Sequence, residues 1–213
     1  MALTFYCGSG SPYAWRVWLA LEHKGVPYEL KMLSFDKDEH RSPEMTALNP
    51  RQKVPVIVDD GFALYESSAI LEYIEDKWPV PHLLSGDLQQ RAVQRRLVRE
   101  ADQYIGKLEG ELGEALFGPA EKRSAEKAAA ALAAFRTEVR RWEDLVQGPY
   151  LAGEALSLAD VTLYPYMALM RRMAKRLPDA GDGGGIAGPK LSAWIDRMEA
   201  LPLVQKTWPP HWK

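Results

Sequence analysis

Residues 52–68, QKVPVIVDDGFALYESS, restrict the possible fold most tightly. Val56, Ile57 and Val58 form a β-branched apolar run, which suits a strand buried on both faces. Asp60-Gly61 predicts a two-residue hairpin turn, because glycine supplies the positive φ such a turn needs. Phe62, Leu64 and Tyr65 then form the return strand. Ser67 predicts an N-cap for a helix whose apolar face carries Ile70, Leu71 and Ile74. Pro55 stands at the mouth of the first strand, where a missing N–H must be tolerated. Glu66 and Ser67 put a carboxylate and a hydroxyl beside the unpaired N–H groups of a helix start, a natural anion site.

The residues before this hairpin alternate strand and helix. Residues 3–6 form a short apolar strand. The loop Gly8-Ser9-Gly10 leads to Ser11-Pro12, a preferred N-cap followed by a preferred first helical residue. That helix carries Trp15, Val17, Trp18, Leu19 and Leu21. It has His23 and Lys24 in its last turn and stops at Gly25 and Pro27. Residues 28–33 predict a second strand, so the unit is a right-handed crossover between parallel strands. Residues 34–42 read as an exposed polar loop. Ser42-Pro43 starts a short helix that ends near Asn49-Pro50. The order is βαβαββα around a small mixed four-stranded sheet.

Pro79 and Pro81 end this pattern, and residues 79–86 read as a linker between domains at 1–78 and 87–213. Everything after the linker is helical. Residues 88–117 form one helical stretch, closed by Gly118-Pro119, and 121–146 an alanine-rich helix closed by Gly148-Pro149. Ser157-Leu158-Ala159-Asp160 is a capping box, with Leu156 and Val161 at the staple positions, for a helix reaching about residue 177. Residues 181–188 are glycine-rich and expected to be mobile. Pro189 starts a further helix and Pro202 a last short one.

Composition narrows the class of function. The 213 residues are 46% hydrophobic and 26% charged with a net charge of -2, so no basic surplus recommends a nucleic-acid partner. Cys7 is the one cysteine. An intramolecular disulfide is therefore impossible, and a reducing, cytoplasmic location is expected. The N-terminal residues lack the basic and apolar regions of a signal peptide, and no apolar run reaches membrane-spanning length, so no membrane partner is expected.

Four motifs carry a family resemblance. They are Ser11-Pro12 with Arg16-Val17, Asn49-Pro50 before Lys53-Val54-Pro55-Val56, Glu66-Ser67-Ser68-Ala69-Ile70, and Leu156-Ser157-Leu158-Ala159-Asp160. Each is weak alone, but their order and spacing resemble a cytosolic glutathione transferase over nearly the whole chain, nearest to the serine-type tau, theta and zeta classes. The resemblance implies a thioredoxin-like first domain, an all-α helical-bundle second domain, glutathione as co-substrate, no metal, and a homodimer. It also implies a cis Pro55 that turns the Val54 backbone toward the cysteinyl backbone of glutathione. Glu66 would take the γ-glutamyl amine, Ser67 the γ-glutamyl carboxylate, and Lys53 and His40 the glycine carboxylate. A hydrophobic electrophile would lie between the domains, against Tyr13, Tyr104, Met167, Met170 and Trp208. Arg16 is expected in a structural ion pair, and Asp160 as a folding device.

The chemistry asks for a thiolate. A free cysteine thiol titrates at about 8.5, so lowering it by about two units raises the thiolate fraction at pH 7 roughly twentyfold, for about 2.7 kcal/mol. One hydrogen bond to a charged group contributes roughly 1.5–3 kcal/mol. Ser11 is the candidate donor; Tyr6, Cys7, Ser9 and Tyr13 are its rivals, and Ser11 as a plain N-cap is the bland alternative. A Cys-x-x-Cys pair is missing, which excludes dithiol chemistry. A reductase or peroxidase, an isomerase or a dehalogenase could use the same site. The zeta-type isomerases resemble Ser-Ser-Cys at the helix start, where this chain has Gly10-Ser11-Pro12-Tyr13. A non-catalytic binding protein on the same fold is the remaining alternative.

Overall fold

A computed structural model describes residues 3–177 and 187–212; residues 181–186 of the glycine-rich stretch expected to be mobile lie outside them. The contacts divide the chain into two units, Met1–Ser85 with Ala200–Lys213, and Gly86–Glu199.

In the first unit β1 (Leu3–Gly8) runs parallel to β2 (Tyr28–Leu33), joined by α1 (Pro12–Lys24). On its other side β1 pairs antiparallel with β3 (Val56–Asp59), and β3 with β4 (Phe62–Tyr65), giving the order β2-β1-β3-β4. The two central strands hold the fully buried Phe5, Val56 and Ile57, which is why the β3 segment is continuously apolar. The polar loop after β2 contains a 3-10 turn, Glu39–Arg41, before α2 (Pro43–Leu48).

The helix α3 (Ser67–Lys77) corrects one expectation. Ser67 is its first residue rather than its N-cap; the cap position belongs to Glu66, at φ +71°. The far ends of α1 and α3 are fastened by a buried ion pair. Lys24 Nζ lies 2.5 Å from Glu75 Oε2, and the Glu75 carboxylate also accepts the N–H groups of Leu83 and Leu84 at 2.9 and 3.1 Å. Burial alone would push Glu75 up, but these hydrogen bonds prevail and hold its carboxyl below the ordinary value.

In the second unit α4 (Leu88–Glu100) and α5 (Gly106–Phe117) are joined by a π-helical turn at Ala101–Ile105, where the sequence predicts unbroken helix. The remaining helices are α6 (Ala125–Leu145), α7 (Leu158–Ala174) and α8 (Pro189–Ala200). Residues 158–168 of α7 are buried on every face. The fully buried Asp160 at its start accepts from Leu151 N–H, Ser157 N–H, Ser157 Oγ–H and Trp194 Nε1–H at 2.6–2.9 Å. It is a folding device, as its capping-box spacing predicts.

The chain end behaves differently from the predicted division. The last helix, α9 (Pro202–Thr207), and a 3-10 turn at Pro210–Trp212 group with the first unit instead of staying with the helical domain. The cause is packing on α1: Trp15 Nε1 donates to Thr207 Oγ1 at 2.8 Å, and the Trp15 ring meets those of Trp208 and Trp212 edge-on at 5.6 and 5.5 Å. Among the described residues no helix is long and apolar enough to cross a membrane.

Candidate active site

Two adjoining hollows open on the first unit, of about 330 and 390 Å³. Both are walled by Tyr13, Arg51, Lys53 and Val54. The first adds Asn49, Pro55, Glu66 and Ser67. The second adds Ser11, Phe35, His40, Arg41 and Gln52. One connected region therefore gathers Ser11, His40, Lys53, Val54, Pro55, Glu66 and Ser67.

Each part of the wall has a local cause. The Val54–Pro55 peptide bond is cis. Val54 precedes β3, whose pairing begins at Val56, so the sheet ladders do not use its peptide groups. The loop before it is pinned by the buried Asn49, which donates from Nδ2 to the Lys53 carbonyl at 2.8 Å and accepts Arg51 N–H at 3.0 Å. That clamp explains the Asn-Pro pair in the sequence: it shapes the loop that presents Arg51 and Lys53. Ile70 N–H bonds the Glu66 carbonyl at 2.9 Å, the first backbone bond of the helix, and Ser67 at the helix start lines the hollow. Glu66 holds its left-handed backbone at a cost on the order of 1–3 kcal/mol, a strain that clusters at ligand sites. Its carboxylate lies 3.8 Å from Arg51 Nε, with both side chains largely in solvent.

Ser11 caps α1. Its N–H donates to the Gly8 carbonyl at 3.1 Å, and its Oγ accepts Ala14 N–H at 3.3 Å. The hydroxyl proton has no acceptor among the described residues, so the group can still donate. Two rivals, Cys7 and Tyr6, are disabled by their surroundings. Cys7 is buried, and burial pushes its thiol up to about 12. Tyr6 Oη donates to Glu44 Oε1 at 2.9 Å; burial first, then Glu44, raises its pKa, the wrong direction for a group stabilising an anion by ready donation. Ser9 Oγ is bonded to His211 Nδ1 at 2.7 Å. Tyr13 sits in the walls of both hollows, with the buried Arg16 guanidinium 5.0 Å over its ring. His40 packs edge-on against Phe35 at 5.3 Å and lies 4.0 Å from Asp38.

The residues expected around a second substrate come from both units. Tyr13 lines the hollows and Trp208 packs on Trp15, both in the first unit. Tyr104 is exposed on the π-helical turn of the second unit. Met167 is fully buried, as is Met170, so neither offers surface to a pocket. A methionine stripe at helical spacing belongs here to the core of a helix covered all round. Sequence reasoning passed over Asn49, Arg51, Arg41, Gln52 and Phe35 as site residues; the available signal was the cluster of cations flanking Asn49-Pro50 and Val54-Pro55. Among the described residues no group of His, Cys, Asp or Glu could hold a metal ion.

The glutathione S-transferase N-terminal domain model matches residues 10–77, and the glutathione S-transferase C-terminal domain model residues 107–202. The chain belongs to the glutathione S-transferase family. Glutathione S-transferase 4 of Zea mays is 34% identical over 210 residues, covering 96% of this chain and 91% of the relative. Maleylacetoacetate isomerase of Rattus norvegicus is 32% identical over 167 residues, 76% of this chain and 75% of the relative. A crystal structure of a glutathione transferase from Pseudomonas putida, with one glutathione disulfide bound per subunit, superposes with a TM-score of 0.84 at 25% identity, over 98% of this chain and 91% of that one. The thioredoxin-like first unit and the helical second unit are the family's architecture, and family relatives include transferases and isomerases. All the hollow-lining residues from Ser11 to Ser67 fall inside the N-terminal match.

Proposed function

We propose that this glutathione S-transferase family member conjugates glutathione to a hydrophobic electrophile, with Ser11 stabilising the thiolate. The observation that carries the reading is the Ser11 hydroxyl. It accepts Ala14 N–H and keeps its own proton for donation, in a hollow continuous with Lys53 and Val54. Accepting an N–H polarises the hydroxyl and strengthens it as a donor. Glutathione would span the two hollows. Its ammonium would meet Glu66, its γ-glutamyl carboxylate Ser67 and the first turn of α3, its cysteinyl backbone Val54, and its glycine carboxylate Lys53 and His40. The glutathione thiol loses its proton to solvent water, and the sulfur lone pair forms the S–C bond as the leaving group departs with its electron pair. For an activated alkene, a proton from water completes the addition. A homodimer and a cytoplasmic location go with this reading.

Glutathione-dependent isomerisation is the second reading, favoured by the 32% identity to the rat isomerase. The same thiolate would add to an activated alkene and leave again after rotation. The Gly10-Ser11-Pro12 helix start lacks the cysteine of the zeta-type pattern, which ranks it second. Calorimetry with glutathione, followed by a panel of aryl halides, epoxides, cis-enones and peroxides, tests both. Binding with conjugate formation supports the first; turnover confined to cis–trans conversion or peroxide reduction replaces it. Failure to bind millimolar glutathione overturns every enzymatic reading.

A further inference from the structure

The C-terminal turn Pro210–Trp212 closes onto the loop that leads into Ser11. His211 Nδ1 lies 2.7 Å from Ser9 Oγ, and Trp212 Nε1 donates to His211 Nε2 at 3.0 Å. The Trp212 ring is wedged edge-on between Trp15 and Trp208, at 5.5 and 6.0 Å. An indole N–H can only donate, so Nε2 is the acceptor and the imidazole proton sits on Nδ1, donating to Ser9. Gly10 is fitted to this contact twice over. It has φ +80°, and a Cβ there would fall 2.7 Å from His211 Cε1. The loop is thus fixed from one side by the Gly8–Ser11 backbone bond and from the other by the chain end.

We propose that His211 and Trp212 are positioning residues for the reaction: by clamping Ser9 and Gly10 they fix the direction in which the Ser11 hydroxyl donates. The proposal rests on the reading of Ser11 as the thiolate donor. A hydrogen bond weakens steeply with angle, so a loosened loop costs the thiolate its donor. The grip on glutathione comes from Val54, Glu66 and Ser67, on other elements, and should survive. A residue that merely supports folding would not separate these two effects.

The test uses the full chain with His211→Ala, His211→Asn, His211→Leu, Trp212→Phe, Ser11→Ala and the Ser11→Ala/His211→Ala double variant. Glutathione Kd is read by calorimetry, the bound thiol's pKa from thiolate absorbance, and kcat with an aryl halide. His211→Ala is expected to raise the thiol pKa by about 0.5–1 unit and lower kcat at pH 6.5 by roughly 1.2- to twofold, with Kd changed less than about twofold. His211→Asn, which keeps an N–H within reach of Ser9, should recover at least half of the pKa shift, and His211→Leu none. Trp212→Phe keeps the wedge and loses the N–H, so its shift should fall between wild type and His211→Ala. In the Ser11→Ala background the second substitution should add nothing, because the two act through one group. An unmoved thiol pKa in His211→Ala and His211→Leu overturns the proposal, as does a full additive effect in the double variant. If Ser11→Ala shifts the thiol and His211→Ala does not, only the positioning role falls. If Ser11→Ala leaves the thiol unmoved, the Ser11 reading falls and the positioning role with it.

Discussion

Ser11 caps α1, and on the proposed reading it also donates to the thiolate, two roles that pH can separate. The hydrogen bond to the thiolate is worth roughly 1.5–3 kcal/mol, or about 1.1–2.2 pKa units. With a wild-type bound thiol near about 6.5, two units below the free value, Ser11→Ala moves it to about 7.6–8.7. At pH 6.5 the thiolate fraction then falls from half to roughly 1–7%. A more basic thiolate is also a better nucleophile, with a Brønsted slope of about 0.4–0.5, which returns part of the loss. The net expectation is a kcat deficit of roughly two- to tenfold at pH 6.5 that closes about 0.3–1 unit below the variant's thiol pKa and is reversed above it. The cap contributes separately. Alanine at an N-cap costs about 1 kcal/mol of stability and glycine only a few tenths. Ser11→Ala and Ser11→Gly should therefore share the same pH–rate profile while differing in Tm. Steady-state rates with an aryl halide across the pH range, with saturating glutathione, measure it. A deficit that stays constant with pH, or that tracks Tm and not the hydroxyl, refutes the argument.

Further outcomes follow from three titratable groups, Cys7, Glu75 and Glu109. Cys7 is buried with its thiol up to about 12, so the folded protein should resist alkylation at neutral pH and Cys7→Ala should keep kcat within about twofold. Glu75→Ala leaves the Lys24 ammonium buried and unpaired and should cost about 3–5 kcal/mol by urea unfolding. Because the folded Glu75 carboxyl lies below its ordinary value, its stabilisation is present above the unfolded value of 4.5 and is lost as the pH falls through the folded one; Glu75→Ala should flatten this acid limb. Burial pushes Glu109 up to about 7, so its contribution is full below 4.5 and lost as the pH rises through about 7. Glu109→Gln should then raise Tm at pH 8 while changing it little at pH 4.5.

The parts of the fold written in local chemistry were legible. Ser11-Pro12, Ser42-Pro43 and Asp60-Gly61 each name their own cap or turn, and the structure starts α1, α2 and the hairpin there. Part of the hollows' polar wall, Ser11, His40, Lys53, Glu66 and Ser67, was legible in the motifs, whereas Arg41, Asn49, Arg51 and Gln52 were not. What escaped depends on distance or on backbone detail. The return of residues 200–213 to the first unit rests on Trp15 meeting Thr207 and Trp212, almost two hundred residues apart, which no local pattern encodes. The π-helical turn at Ala101–Ile105 keeps helical composition and buries Ala101 and Ile105 as an α-helix could, so the apolar spacing looks unbroken. Glu66, with its carboxylate before a serine pair, reads as the residue ahead of a cap; only its φ of +71° makes it the cap itself. Met167 and Met170 matched a pocket stripe as well as a core stripe, and burial of α7 on every face decides for the core.

The most direct measurement is the thiol titration of glutathione bound to the unmodified protein, followed by thiolate absorbance under saturating conditions. The expected midpoint is about 6.3–7.4, because a hydrogen bond donated by Ser11 would favour the anion by roughly 1.5–3 kcal/mol. A bound thiol that titrates at about 8.5, as a free one does, contradicts it.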